Sequence, residues 1–298
     1  MVKIVYYVHG TTTDNASGIC SGWKNVSLSD LGEEQAVNLG KNTPYKFDVL
    51  FTSDLGRAIS TAKLAFPEFE SISDKRLREC NYGDLDGESK KLVNYSEHIS
   101  EAFPNGESLE DVVERVKDFL EYLEKNYPNK TVGIIAHRAP QLAMEVLTRG
   151  KTLEQAVNED WRKTGDWKPG WEYLYNGNMI FQYYNPVDEK GGCITRTMSK
   201  LFDKDYETVK EELINLSKEL GCSDYHDTEV FEKYLENNNY KKEELNIPVS
   251  EINLKGRYAV LCHKGDNYHM FSVIDGVVYD KSLKYLDMDV VNIYKSSK

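Results

Sequence analysis

The sequence has no cysteine pattern that would suit a disulfide scaffold or a zinc finger. Cys20, Cys80, Cys193, Cys222 and Cys262 are an odd five with no CxxC pair, so a reducing, cytoplasmic setting is the expectation. Positive charge is also short: 37 Lys and Arg stand against 49 Asp and Glu, a net charge of −12. That excludes the basic surface of a general nucleic-acid or anionic-membrane binder, while leaving room for a local basic pocket. No apolar run approaches the ~18 residues that span a bilayer, and the opening MVKIVYYVHG turns polar too early for a signal-peptide core. The first half holds no HxH or HExxH, and Asp84 and Asp86 stand without a nearby histidine, so neither a metal nor a cofactor is expected.

What is present is an alternation of strand and helix signals. Lys3–Val8, Asp48–Thr52 and Thr131–Ala136 are apolar runs of strand length. Between them lie helical segments at Leu31–Leu39, with Ser29 as N-cap, and at Leu55–Phe66. Ser108 opens a long helix with Asp111 at the capping-box position, and Pro140 sits in the first turn of another. The pattern predicts an α/β fold, a parallel-type sheet with helices on both faces. After Asn185-Pro186 and Gly191-Gly192 the order changes to helices first (Cys193–Leu201, Tyr206–Leu220, Thr228–Asn238), then strands at Arg257–Cys262, His269–Ile274 and Val277–Asp280 joined by an Asp275-Gly276 turn. This predicts a smaller α+β domain, residues 185–298, behind a first domain of residues 1–184. Two domains also suit 298 residues at about 150 per domain.

The ends of parallel strands are where such folds hold ligands. His9 ends the first strand, followed by Gly10, whose missing side chain lets a ligand approach the backbone. His137 ends the strand 132–136, and Arg57 lies one turn into a helix. The segment VHGTTTDN (8–15) resembles the R-H-G-x-T-x-x-N opening of the histidine phosphatase (phosphoglycerate mutase-like) superfamily. In the same order, SLSDLGEEQA (27–36), SDLGRA (53–58), LRE (77–79) with Gly83 and Gly87, FPNGES (103–108) and Ala136-His137 resemble that family's later motifs. The tail QAVNEDWRKTGDWKPGW (155–171) is similar to a bacterial subgroup whose first motif also reads V-H-G.

The resemblance implies a small phosphorylated substrate and a phosphohistidine on His9. Glu79 would protonate the leaving oxygen and then deprotonate water. Arg57, His137 and the helix start after His137 would hold phosphoryl oxygens, with Gly10, Thr12 and Asn15 beside them. Residues 79–108 and the tail 152–171 would cap the pocket. Of the tryptophans in that tail, Trp161, Trp167 and Trp171, packing against the sheet is the reading for most. One departure is Val8, where the family carries arginine; a lost charge-assisted hydrogen bond costs about 1.5–3 kcal/mol. Arg138, after His137 where the family has glycine, is a candidate replacement cation. With Val8, a module that binds phosphate-bearing ligands without turning them over is the alternative.

In the second domain, cysteine early on a helix (Cys193), histidine on a strand (His269) and an acid ending the next strand (Asp280) follow the order of papain-like cysteine enzymes. Residues 185–197, 205–213 and 269–280 resemble small papain-like proteins of phages and bacteria. That resemblance implies a peptidase or acyl transferase centred on Cys193.

Overall fold

Strand β1 (Val2–Val8) sends Ile4 and Tyr6 into one apolar core and Val5 and Tyr7 into another, as the two-residue period of a strand dictates. Both faces are therefore covered, and the strand is apolar on both sides. The computed structural model describes residues 1–164, 170–177, 180–187, 189–281 and 288–296. Trp167 lies outside the described residues. The chain divides into two compact units, residues 1–177 and 178–298.

In the first unit β1 is followed by a single helical turn, α1 (Thr13–Ala16), then α2 (Asp30–Asn42), β2 (Val49–Thr52), α3 (Gly56–Ala65) and the short β3 (Ile72–Ser73). Next come α4 (Leu109–Asn126), β4 (Thr131–Ala136), α5 (Arg138–Arg149), α6 (Leu153–Asn158), α7 (Trp161–Thr164) and β5 (Trp171–Tyr175). The sheet order is β3-β2-β4-β1-β5. The first four strands run parallel, and β5 closes the edge antiparallel to β1. Helix α4 starts at a full capping box, Ser108 with Asp111, and buries Leu109, Val112, Val116, Leu120 and Leu123 at helical spacing. It packs with α5 on one face of the sheet, and α2 with α3 on the other. Strands β1 and β4 are neighbours with Val8 opposite Ala136, so the residues that follow each, His9 and His137, leave the sheet side by side.

The second unit begins with β6 (Ile180–Tyr183), then α8 (Cys193–Phe202), α9 (Tyr206–Leu220) and α10 (Thr228–Asn237). Strands β7 (Tyr240–Glu244), β8 (Arg257–Lys264), β9 (Asn267–Ile274), β10 (Val277–Asp280) and β11 (Asp289–Ser296) follow. They form one sheet, β6-β10-β9-β8-β11-β7, antiparallel except for the β6–β10 pair. Asp275 and Gly276 both take positive φ in the β9–β10 turn, the conformation for which Asp-Gly is suited. Because β6 pairs with β10, the division falls before residue 180, a few residues upstream of the expected 184/185 boundary. Among the described residues no helix is long and apolar enough to cross a membrane.

Candidate active site

The turn after β1 is pressed against the start of α2. A Cβ on Gly10 would lie 2.4 Å from the Gly32 carbonyl oxygen, and one on Gly32 2.0 Å from that of Thr11. Glycine at both places lets the His9 loop lie on the helix, and the Gly10 N–H donates to Thr61 Oγ1 (3.1 Å). His9 Nδ1 is 2.7 Å from the Gly10 carbonyl oxygen. A carbonyl only accepts, so Nδ1 carries the proton and Nε2 presents its lone pair. Burial, with the Arg57 charge, brings His9 from its usual 6.5 down to about 3, so the ring is neutral near pH 7.

Arg57 Nε donates to that same His9 Nε2 at 3.3 Å. Its other nitrogens donate to the carbonyls of Lys24 (3.0 Å) and Gly22 (2.7 Å), which fixes the buried guanidinium. The His137 ring lies 4.9 Å from that of His9, centroid to centroid. His137 is fully buried, and neither ring nitrogen makes a hydrogen bond among the described residues. Tyr6 holds its backbone from both sides, donating to the His137 carbonyl (2.7 Å) and accepting from its N–H (3.1 Å). Burial and the charge of Arg57 push His137 well below the usual histidine range.

Glu79 accepts from the backbone N–H of Cys80 (2.9 Å), Arg138 (3.3 Å) and Ala139 (2.9 Å), and from Tyr95 Oη (3.3 Å). The N–H groups at the start of α5, expected to face the phosphate, are thus aimed at this carboxylate. Tyr95 in turn shares a 2.8 Å hydrogen bond with Tyr82. Arg115 supports the same segment from behind. It pairs with Glu107 through two nitrogens and donates to the carbonyls of Arg76 and Glu79. The sequence marks FPNGES as a motif but says nothing of these partners, because Arg115 meets Glu79 and Glu107 meets Asn81 only through tertiary packing.

His9, Arg57, Glu79 and Arg138 line one cleft of about 900 Å³ with Asn15 and Arg162. Lys90 and Trp161, from the two segments expected to cap the pocket, also line it. Thr12 does not line it. It is buried as the N-cap of α1, exchanging hydrogen bonds with Asn15. The Arg138 guanidinium, a candidate for the missing cation, pairs with the buried Asp160 through two nitrogens and lies 4.1 Å over the Tyr95 ring. Trp171 is buried on β5, and Trp161 tilts against it at 5.9 Å. Among the described residues no three His, Cys, Asp or Glu side chains group as a metal site would need.

The second unit brings its own constellation together. Cys193 is the first residue of α8, and that helix packs on β9, which carries His269. His269 Nε2 is 2.6 Å from Asp280 Oδ2 at the end of β10. Cys193 and His269 lie close enough for each to shift the proton affinity of the other. Burial alone would raise the Cys193 thiol, but the neighbouring His269 outweighs it and the thiol lies below its usual value. Burial alone would lower His269, but Asp280 and then Cys193 hold it above its usual value. Arg196, one turn into α8 and buried, lies 3.9 Å from Asp280 Oδ1, which also accepts the Lys281 N–H (2.7 Å).

A model of the histidine phosphatase superfamily (branch 1) matches residues 6–164. A 2,3-bisphosphoglycerate-dependent phosphoglycerate mutase of Bartonella bacilliformis is 31% identical over 179 residues, 53% of this chain and 86% of the mutase. That of Cytophaga hutchinsonii is 34% identical over 156 residues, 46% and 72% of the two chains. Among solved structures, the α-ribazole phosphatase of Shigella flexneri is 26% identical, with a TM-score of 0.47 over 52% of this chain and 84% of that one.

Proposed function

We propose, because this chain belongs to the histidine phosphatase superfamily, that its first unit hydrolyses phosphomonoesters through a phosphohistidine on His9. One observation carries the reading: His9 is held with Nδ1 on a carbonyl and its Nε2 lone pair beside Arg57, in the cleft that Glu79 lines. Nε2 attacks phosphorus while the bond to the ester oxygen breaks, and the Glu79 carboxyl gives that oxygen its proton. Water then attacks the phosphorus. Glu79 takes the water's proton, the P–N bond breaks, and imidazole recovers its lone pair. Arg57, which lines the cleft, meets the negative charge on the remaining oxygens, while the buried neutral His137 ring packs against His9.

Transfer back to an organic hydroxyl, as a mutase requires, needs water kept out. Exposed Lys90, Asn38 and Arg162 on the cleft wall favour hydrolysis instead. The test is phosphate release from a panel of phosphomonoesters without added metal, with the intact chain and with His9→Ala. Release lost in the variant is the expected result. Phosphate binding without release from any ester would leave a binding module.

We propose a second, separate activity for the second unit: acyl transfer from Cys193, with Asp280 orienting His269. The 2.6 Å His269–Asp280 hydrogen bond and the lowered thiol favour it. Asp280 takes Nε2, which leaves Nδ1 of His269 for the thiol. The thiolate adds to a carbonyl carbon and the bond to the leaving group breaks as His269 gives that group its proton; water then attacks the thioester carbon, returns a proton to His269, and the C–S bond breaks to free the acyl group and the thiolate. Iodoacetamide should label Cys193 faster than the other four cysteines near neutral pH, and His269→Ala should slow it. Labelling no faster than in the unfolded chain would remove this reading.

A further inference from the structure

Three arginines face the cleft, and they are not equivalent. Arg57 is fixed by two backbone carbonyls and His9. The charge of Arg138 is offset by Asp160, whose side chain is fully buried, and Tyr95 covers its plane. Arg162 is exposed, and among the described residues it pairs with no carboxylate. Its backbone is nonetheless anchored: Asp160 Oδ1 accepts the Arg162 N–H at 2.9 Å. The preceding Trp161 packs against the core of the first unit, and the Arg162 guanidinium lies 5.3 Å from the Trp161 ring centroid. One buried carboxylate therefore neutralises Arg138 and seats Arg162 on the cleft wall.

We propose that Arg162 supplies the phosphoryl-binding cation that β1 lacks at Val8, reaching from the cleft wall to the oxygens of a phosphoryl group seated at His9. The inference rests on the phosphohydrolase reading of the first unit. Val8 and Arg162 line the same cleft as His9, so a cation on α7 opens onto the space that β1 leaves without one. The charge of Arg162 also reaches both His9 and His137, contributing to the low proton affinity of each. Arginine suits this task because its planar fork can hold two phosphoryl oxygens at once.

The experiment uses the full chain and two readouts, orthovanadate binding by calorimetry and kcat/KM for p-nitrophenyl phosphate. Arg162→Gln should weaken vanadate binding and lower kcat/KM by about 10–100-fold, the worth of one charge-assisted hydrogen bond. Because the side chain is exposed, the urea midpoint should not move. Adding Val8→Arg to Arg162→Gln should recover part of both losses. Vanadate binding and kcat/KM unchanged in Arg162→Gln would overturn the inference and leave the phosphohydrolase standing. A wild-type chain that binds no vanadate would overturn both.

Discussion

A phosphohistidine route needs His9 and His137 as neutral rings, and burial next to Arg57 favours that state in both. That has a consequence for stability. An unfolded histidine titrates near 6.5, whereas His9 in the fold titrates near 3, and His137 is lowered too. Between those values the unfolded chain binds more protons, so stability falls as the pH drops from about 6.5 toward 3 and is unaffected above that window. Each histidine contributes at most about 1.4 kcal/mol per pH unit there. Urea midpoints at about pH 7.5 and 5.5 should show the loss, and a His9→Asn/His137→Asn variant should show a shallower one. Equal slopes in the two proteins would mean that other groups govern the acid limb.

At the scale of the element, α4 and α5 have different starts. Ser108 caps α4 with its own side chain, and Asp111 answers by accepting from the Ser108 N–H at 2.8 Å. Ser108→Ala should therefore cost about 1 kcal/mol in urea unfolding while leaving phosphate release within about twofold, since Ser108 does not line the cleft. Helix α5 has no such side-chain cap from its N-cap residue, His137. Its cap is Glu79, supplied from a distant loop. The α4 cap was legible as Ser-x-x-Asp ahead of an apolar stripe. The α5 cap was not, because two residues some sixty positions apart meet only once the sheet has formed. The same limit hid Asp160, which reads as one more acid in a polar tail until Arg138 and the Arg162 N–H are seen on it.

For the whole molecule, the alternation of elements made the sheet of the first unit legible. The strand-end positions of His9 and His137 followed from it, because adjacent parallel strands bring their last residues together. The antiparallel edge strand β5 was not legible, since WEYLY follows a tail rich in Gly and Trp rather than a hairpin signal. Nor was β6, whose partner β10 lies at the far end of the unit. That pairing bears on the order of events during synthesis. Every strand of the first sheet is present once Tyr175 has been added, so the cleft can close while the ribosome is still translating. Strand β6 leaves next with exposed Ile180 and Tyr183 and waits for almost all of its unit before its neighbour is made. In that interval it is an unprotected β-edge on a nascent chain, and non-local closure of this kind is slow.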